Sequence, residues 1–230
     1  MPSQPGHDGG PVRDPDASMK LYIYQHCPFC CRTLMIRGLK QLDLPVEVIM
    51  EGDAETPTRL VGKKAVPILR KRDGSHMTES MDIVHYLDEA FPPRAITAAP
   101  VPAIDDWASR AFKPAITLAV PRFTRGRFAE LATPQARAAY TERETRAFGD
   151  LQALLDSTGE QVAALQPLLD ELEGIVPAPG GAIGDSDFLL FPILRSLSIV
   201  AAVRLGPKAR AWYEAMLQRT GMADFSDQAS

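Results

Sequence analysis

Residues 20–50 read KLYIYQHCPFCCRTLMIRGLKQLDLPVEVIM. Lys20–Tyr24 is a short run of β-formers. His26-Cys27-Pro28 breaks it. From Pro28 the spacing turns helical, with Leu34, Leu39 and Leu42 among the apolar positions and Arg32, Arg37 and Lys40 polar. Pro28 suits a first helical position, because its missing N–H would be unpaired there in any case. Pro45 ends the helix, and Val46–Met50 reads as a second strand. Strand, helix and strand over about thirty residues make a βαβ unit with a parallel strand pair.

Downstream, Glu51–Lys64 is polar and reads as loop plus a short helix. Ile68–Arg72 and Ser75–Thr78 are strand-like, and the intervening Asp73-Gly74 is a hairpin signal. Ser80 is placed to cap a third helix running to about Ala90, which Phe91-Pro92-Pro93 stops. The element order is βα-β-α-ββ-α. Residues 94–103 (RAITAAPVPA) form a Pro/Ala linker at a domain boundary. Beyond it only helices are expected: Ile104–Val120, Pro134–Ser157, Glu160–Glu173, Asp185–Leu205 and Pro207–Arg219, with a loop at Pro177–Gly181. The Asp185–Leu205 run is apolar nearly all round, which predicts the buried central helix of this half. A membrane span is the rival reading there, and Arg195 argues against it.

Upstream, residues 1–18 are rich in Pro, Gly, Asp and Ser and have no periodic pattern. They are read as a disordered tail, with a mis-called start at Met19 as the alternative. The tail lacks the apolar core of a secretory signal. The expected organisation is therefore tail 1–18, α/β domain 19–93, linker 94–103 and helical domain 104–225. The chain has 230 residues with 25 basic and 29 acidic side chains, a formal net charge of −4. No positive field exists to hold a phosphate backbone, so nucleic acid is not expected as a partner. With 45% apolar and 23% charged residues the balance is that of a globular protein. Three cysteines are too few for a disulfide scaffold, which points to a reducing, cytoplasmic setting.

The chemistry concentrates in Cys27-Pro28-Phe29-Cys30, followed directly by Cys31. A Cys-x-x-Cys between a strand and a helix of a βαβ unit is a redox signature. The thiolate is the nucleophile in disulfide exchange. Cys27 at the helix N-cap faces unpaired backbone N–H groups and the positive end of the helix dipole, both of which lower its pKa. Cys30 lies about one turn on, so its sulfur can reach that of Cys27. Cys27 is expected to be exposed and to attack, and Cys30 to be recessed and to resolve. The rival is a structural zinc site, which needs a full tetrahedral set. His7, His26, His76 and His85 show no paired spacing to supply it. An iron–sulfur cluster shared between two chains is a further alternative. Cys31 stands at i+4 from Cys27, near its face, but is read as a small buried apolar residue. His26 could help hold the thiolate, but as a turn neighbour it is read as a solvent-facing loop residue.

YQHCPFC at 24–30, TPTRLVGKKAVPIL at 56–69 and ESMDIVHYLDE at 79–89 resemble the two-domain bacterial glutaredoxins of the glutaredoxin-2 type. AVPRF at 119–123, TPQAR at 133–137 and LFPILRSLSIVA at 190–201 extend the resemblance, which runs from Met19 to about Leu217. It implies an α/β thioredoxin-like domain followed by an all-α domain like those of glutathione transferases. It also implies a glutathione site. Val66-Pro67 matches the family's Val–cis-Pro pair, whose Val backbone pairs with the cysteinyl backbone of glutathione. Glu79-Ser80 matches the acid–hydroxyl pair that holds the γ-glutamyl end, in keeping with carboxylate binding at a helix start. Phe29 packs beside the bound tripeptide. Arg59, Lys63 and Lys64 are candidates for its glycine carboxylate. The chain departs from related patterns at three places. Tyr24 stands where many single-domain glutaredoxins have Lys, and Phe29 replaces the commoner Tyr. The central helix opens with Gly184-Asp185-Ser186-Asp187 instead of Ser/Thr-x-x-Asp, with Asp187 still able to reach back and Ile183 and Phe188 placed as a hydrophobic staple.

The reading that follows is a glutathione-dependent thiol–disulfide oxidoreductase. Its partners are glutathione and glutathionylated or disulfide-bonded proteins, without metal, membrane or nucleic acid, and it acts as a monomer. Two rivals come from other classes. A glutathione transferase conjugates electrophiles, and usually activates the glutathione thiol with Tyr or Ser instead of a cysteine pair. A non-catalytic interaction module of the same fold need not keep the cysteines, Val66-Pro67 and Glu79-Ser80 together.

Overall fold

The computed structural model describes residues 18–230. The expected tail, apart from Ser18, lies outside the described residues. β1 (Lys20–Ile23), α1 (Pro28–Leu39) and β2 (Val46–Val48) form the βαβ unit, with Leu21 opposite Val46 in a parallel pair. α2 (Glu55–Val61), β3 (Ile68–Arg70), β4 (His76–Met77) and α3 (Ser80–Ala90) follow. β3 runs antiparallel to β1, and β4 to β3, so the sheet order is β2-β1-β3-β4. The hairpin connection is longer than the Asp73-Gly74 signal implied. It spans Lys71–Ser75, closed by the Lys71 N–H donating to the Ser75 carbonyl at 2.8 Å. Inside it, Asp73 Oδ1 accepts from both the N–H and the hydroxyl of Ser75.

The second half is all helical: α4 (Pro102–Phe123), α5 (Pro134–Phe148), α6 (Leu151–Asp156), α7 (Thr158–Ile175), α8 (Asp185–Leu197) and α9 (Pro207–Thr220). The single helix expected over Pro134–Ser157 is divided. Gly149 adopts φ +84° and ends α5, and Asp150 then caps α6 by accepting from the N–H groups of Gln152 and Ala153. The expected Asp185–Leu205 helix also stops short, at Leu197. The chain beyond it bonds instead to the returning C-terminus: Ser198 Oγ accepts from the Phe225 N–H, and Ala201 and Ile199 exchange backbone bonds with Ser230. α8 is nonetheless the central helix. Every residue in it except Asp185 and Leu189 is buried, and it packs on α4 and α1. No described helix is long and apolar enough to cross a membrane.

The two halves share one core, because α1 packs on α3 on one side and on α8 and α9 on the other. Gly38 in α1 makes this approach close: a Cβ there would overlap the Thr220 carbonyl at the end of α9. The connection between the halves is pinned rather than free. Ile96 bridges to Ile183, and the N–H groups of Thr97 and Ala98 both donate to the Ile183 carbonyl at 2.8 Å. Asp88 in α3 accepts from Ala95 N–H at 2.7 Å and from Lys40 Nζ at 2.9 Å, with both ionic side chains 5% exposed. The glycine at the start of α8 has its reason here too. A Cβ on Gly184 would lie 3.0 Å from the Ala98 carbonyl. The Asp187 carboxylate accepts from the Gly184 N–H at 2.8 Å, while Ile183 and Phe188 on either side are buried.

Candidate active site

β1 delivers the chain to Gln25-His26, and Cys27 is the N-cap residue of α1 with Pro28 at the first helical position. Cys27 is half-buried and Cys30 fully buried, so the nucleophile candidate is less open than expected. The Cys27 thiol is pulled down from its ordinary 9.0 to about 7. The hydrogen bond with Cys30 is the largest cause; burial opposes it, and backbone N–H groups of the first turn and His26 add to it. Burial pushes Cys30 well up, helped by that same bond, which favours the proton on Cys30. Cys30 Sγ also accepts from the Tyr24 N–H at 3.4 Å. Cys31 is 1% exposed within the main core, and burial raises it to about 11. It packs as a small core side chain.

His26 does not face solvent. It is 5% exposed, stacked on Tyr24 and enclosed by Phe123, Phe128 and Tyr140. The local sequence gives no warning of this, because the enclosing groups come from α4, α5 and the segment between them. A 3-10 turn, Ala129–Leu131, grips the chain just before Cys27. Its Glu130 carboxylate accepts from the His26 N–H at 3.0 Å and lies 2.7 Å from His26 Nδ1. Its Ala129 N–H donates to Gln25 Oε1, and its Glu130 carbonyl accepts from the Glu51 N–H. From α8, Arg195 donates to the Gln25 carbonyl and to the Ala223 carbonyl and lies over the Phe225 ring.

The Val66-Pro67 bond is cis, Pro67 is buried, and Val66 borders the same cleft as Cys27. This cleft, of about 290 Å³, is walled on the far side by Phe112, Ile116 and Tyr140 of the helical half. Phe29 stands 42% exposed at its rim, 5.7 Å from the Phe112 ring. Ser80 is the first residue of α3 and not its cap. The cap position belongs to Glu79, which holds φ +66°. Ser80 Oγ accepts at 3.2 Å from Arg32, whose guanidinium lies over the Phe29 ring and donates to the Phe188 carbonyl. Arg32 thus links α1, α3 and α8 beside the candidate site, a role that a lone basic residue on a helix face does not signal in sequence. The Glu79 carboxylate is exposed and faces Lys63 at 3.5 Å. Lys64 lies 3.8 Å from the buried Glu51, which also pairs with Arg143, while Arg59 is exposed. Among the described residues no group of three or more His, Cys, Asp or Glu is arranged to hold a metal ion.

Fold and site together define a class: a thioredoxin-like α/β domain with a Cys-x-x-Cys at a helix start, joined to an all-α domain of glutathione-transferase type. Residues 103–229 match the family described as glutaredoxin 2, C terminal domain, and residues 21–95 match the glutathione S-transferase N-terminal domain. Glutaredoxin 2 of Escherichia coli K12 is 36% identical over 214 residues, 92% of this chain and 100% of that protein. The crystal structure of glutaredoxin 2 from Salmonella typhimurium in complex with glutathione superposes with TM-score 0.89 at 34% identity, covering 93% of this chain and 99% of that one. A glutathione transferase Omega 3C from Trametes versicolor, 18% identical with TM-score 0.56 over 88% of each chain, shares the fold. The chain belongs to the glutaredoxin 2 family.

Proposed function

We propose that the protein is a glutathione-dependent thiol–disulfide oxidoreductase working through Cys27 and Cys30. The observation that carries this is the opposed state of two thiols one turn apart. Cys27 is half-buried and ionises at about 7, while buried Cys30 keeps its proton. The thiolate is thus on the accessible sulfur at neutral pH. Cys27 attacks the glutathionyl sulfur of a protein–glutathione mixed disulfide, forming a Cys27–glutathione disulfide and releasing the protein thiolate. A second glutathione thiolate attacks that adduct, freeing Cys27 and leaving oxidised glutathione. For a protein disulfide, Cys27 forms a mixed disulfide with the protein. Cys30 loses its proton and displaces the protein thiolate, and two glutathione molecules then reduce the Cys27–Cys30 bond.

The glutathione platform we assign is Val66 and Pro67 for its cysteinyl backbone and Glu79 with Ser80 for its γ-glutamyl end, with Phe29 beside it. The glutathione held by the Salmonella relative supports this assignment. We place the domains at 19–93 and 104–225 and the enzyme in the cytoplasm as a monomer.

The test is glutathione-dependent reduction of a small glutathione mixed disulfide. Cys27→Ser is expected to lose about 10³-fold or more, with Cys30→Ser and Cys31→Ser remaining active. Full activity in Cys27→Ser overturns the scheme. Conjugation of electrophiles surviving removal of all cysteines turns the reading to a transferase.

A further inference from the structure

Glu130 presents an unusual balance. Its residue is 0% exposed, and among the described residues its Oε2 has no partner. Its Oε1 serves two donors of one residue, the His26 N–H at 3.0 Å and Nδ1 at 2.7 Å. A buried acid–imidazole pair generally stabilises a fold no better than apolar side chains of the same volume, since desolvation offsets the attraction. An orphaned carboxylate oxygen adds to that cost. The pair therefore calls for a role other than stability, and His26 is the residue directly before Cys27.

The geometry supplies the role. Backbone and ring of His26 are tied to one carboxylate oxygen, and the same turn holds Gln25 through the Ala129 N–H. The last two residues before the nucleophile are thus fixed by the other half of the molecule. The His26 ring is packed against Phe123, Phe128, Tyr140 and Tyr24 and is 5% exposed. The titratable groups around the pair include Cys27 and Cys30, the phenols of Tyr24 and Tyr140, which burial keeps protonated, and Arg143 and Glu144 of α5, which border the same cleft. Behind the larger Cys27–Cys30 bond and burial, His26 lowers Cys27 and Glu130 raises Cys30.

We propose that Glu130 is a positioning residue for the nucleophile, reaching from the helical half to clamp His26 and so set the Cys27 sulfur at the start of α1. This rests on the thiol-exchange reading but is read out separately. The experiment measures the pH dependence of iodoacetamide alkylation, with the modified sulfur located by fragment mass spectrometry, in wild type, Glu130→Gln and Glu130→Ala. In wild type the Cys27 rate is expected to have its midpoint at about 7, to fall tenfold per pH unit below it and to level off above. Glu130→Ala removes a negative charge, which alone would lower the midpoint, but losing the clamp that seats Cys27 against Cys30 and the first-turn N–H groups is expected to outweigh this and move the midpoint up by about one pH unit. That makes the rate at pH 7 about fivefold lower. Glu130→Gln, which keeps an acceptor for the His26 N–H, recovers part of the shift.

In the exchange assay, kcat/KM follows the alkylation rate at pH 7. A midpoint left at about 7 in both variants overturns the proposal, including when thermal stability falls, because the pair is then structural only. If Glu130→Ala does not fold, Glu130→Gln alone decides: a raised midpoint supports the clamp and an unmoved one overturns it. A raised midpoint in variants of a wild type that lacks exchange activity would overturn the functional reading and leave the clamp standing.

Discussion

In the α/β half, Cys27, Pro28, Phe29 and Cys30 are consecutive, and their chemistry follows from standing at the start of one helix. In the helical half, the groups that hold this stretch come from separate places: Glu130 from a 3-10 turn and Arg195 from the last turn of α8. The reactive groups form a local motif because a helix N-terminus and a one-turn spacing need only neighbours in sequence. Positioning them needs walls on every side, and those walls are supplied by distant segments. The helical half therefore contributes no expected nucleophile, yet it encloses the ring beside one and closes the cleft in front of it.

Substitutions where the halves meet sharpen this contrast. The largest effect is expected at Asp88, which ties α1, α3 and the connecting segment together. Asp88→Ala leaves Lys40 buried without its partner and should cost about 3–5 kcal/mol in chemical denaturation. Burial pushes this carboxyl up, but its hydrogen bonds and Lys40 outweigh that and hold it below the usual carboxylate value. Its folded-state pKa is thus depressed. The stabilisation is present above the ordinary Asp range and is lost as pH falls through the folded value, so the gap between wild type and variant should close in acid. A gap that persists in acid would mean that the ionised Asp88 does not carry this stabilisation.

Gly38→Ala comes next. The added methyl meets the Thr220 carbonyl, which is backbone and must shift, so a loss of about 1–3 kcal/mol is expected by thermal unfolding. The smallest effect belongs to Gly184→Ser. A serine cap improves on glycine by only a few tenths of a kcal/mol. The added Cβ sits 3.0 Å from the Ala98 carbonyl, so the crowding should cancel the gain and leave the melting temperature within about two degrees of wild type. A clear stabilisation would show that Ala98 yields easily and that the connecting segment is looser than its hydrogen bonds imply.

The two halves also differ in how far their sequence could be read. The βαβ unit, the hairpin strands, α3 and the cysteine motif follow from periodicity and turn residues close together in the chain. The breaks within the helical half do not. The division at Gly149 rests on a positive-φ glycine and an Asp150 cap inside a run with helical spacing, and α8 ends at Leu197, where Ser198–Ala201 bonds to Phe225 and Ser230. Ser80 looked like a cap by residue type, but Glu79 takes that position and Arg32 bonds the Ser80 hydroxyl.

By itself the sequence determined the element order of the first half, the helical character of the second and the cysteine pair at the head of α1. Each of these depends on spacing along one segment. Only the tertiary structure decided that His26 is buried, that Glu130 meets it, that Asp88 ties Lys40 to the connecting segment and that Gly38 lets α1 meet α9. Burial and pairing depend on which distant residues arrive at the same place. That is set by packing the whole core, and no local pattern encodes it.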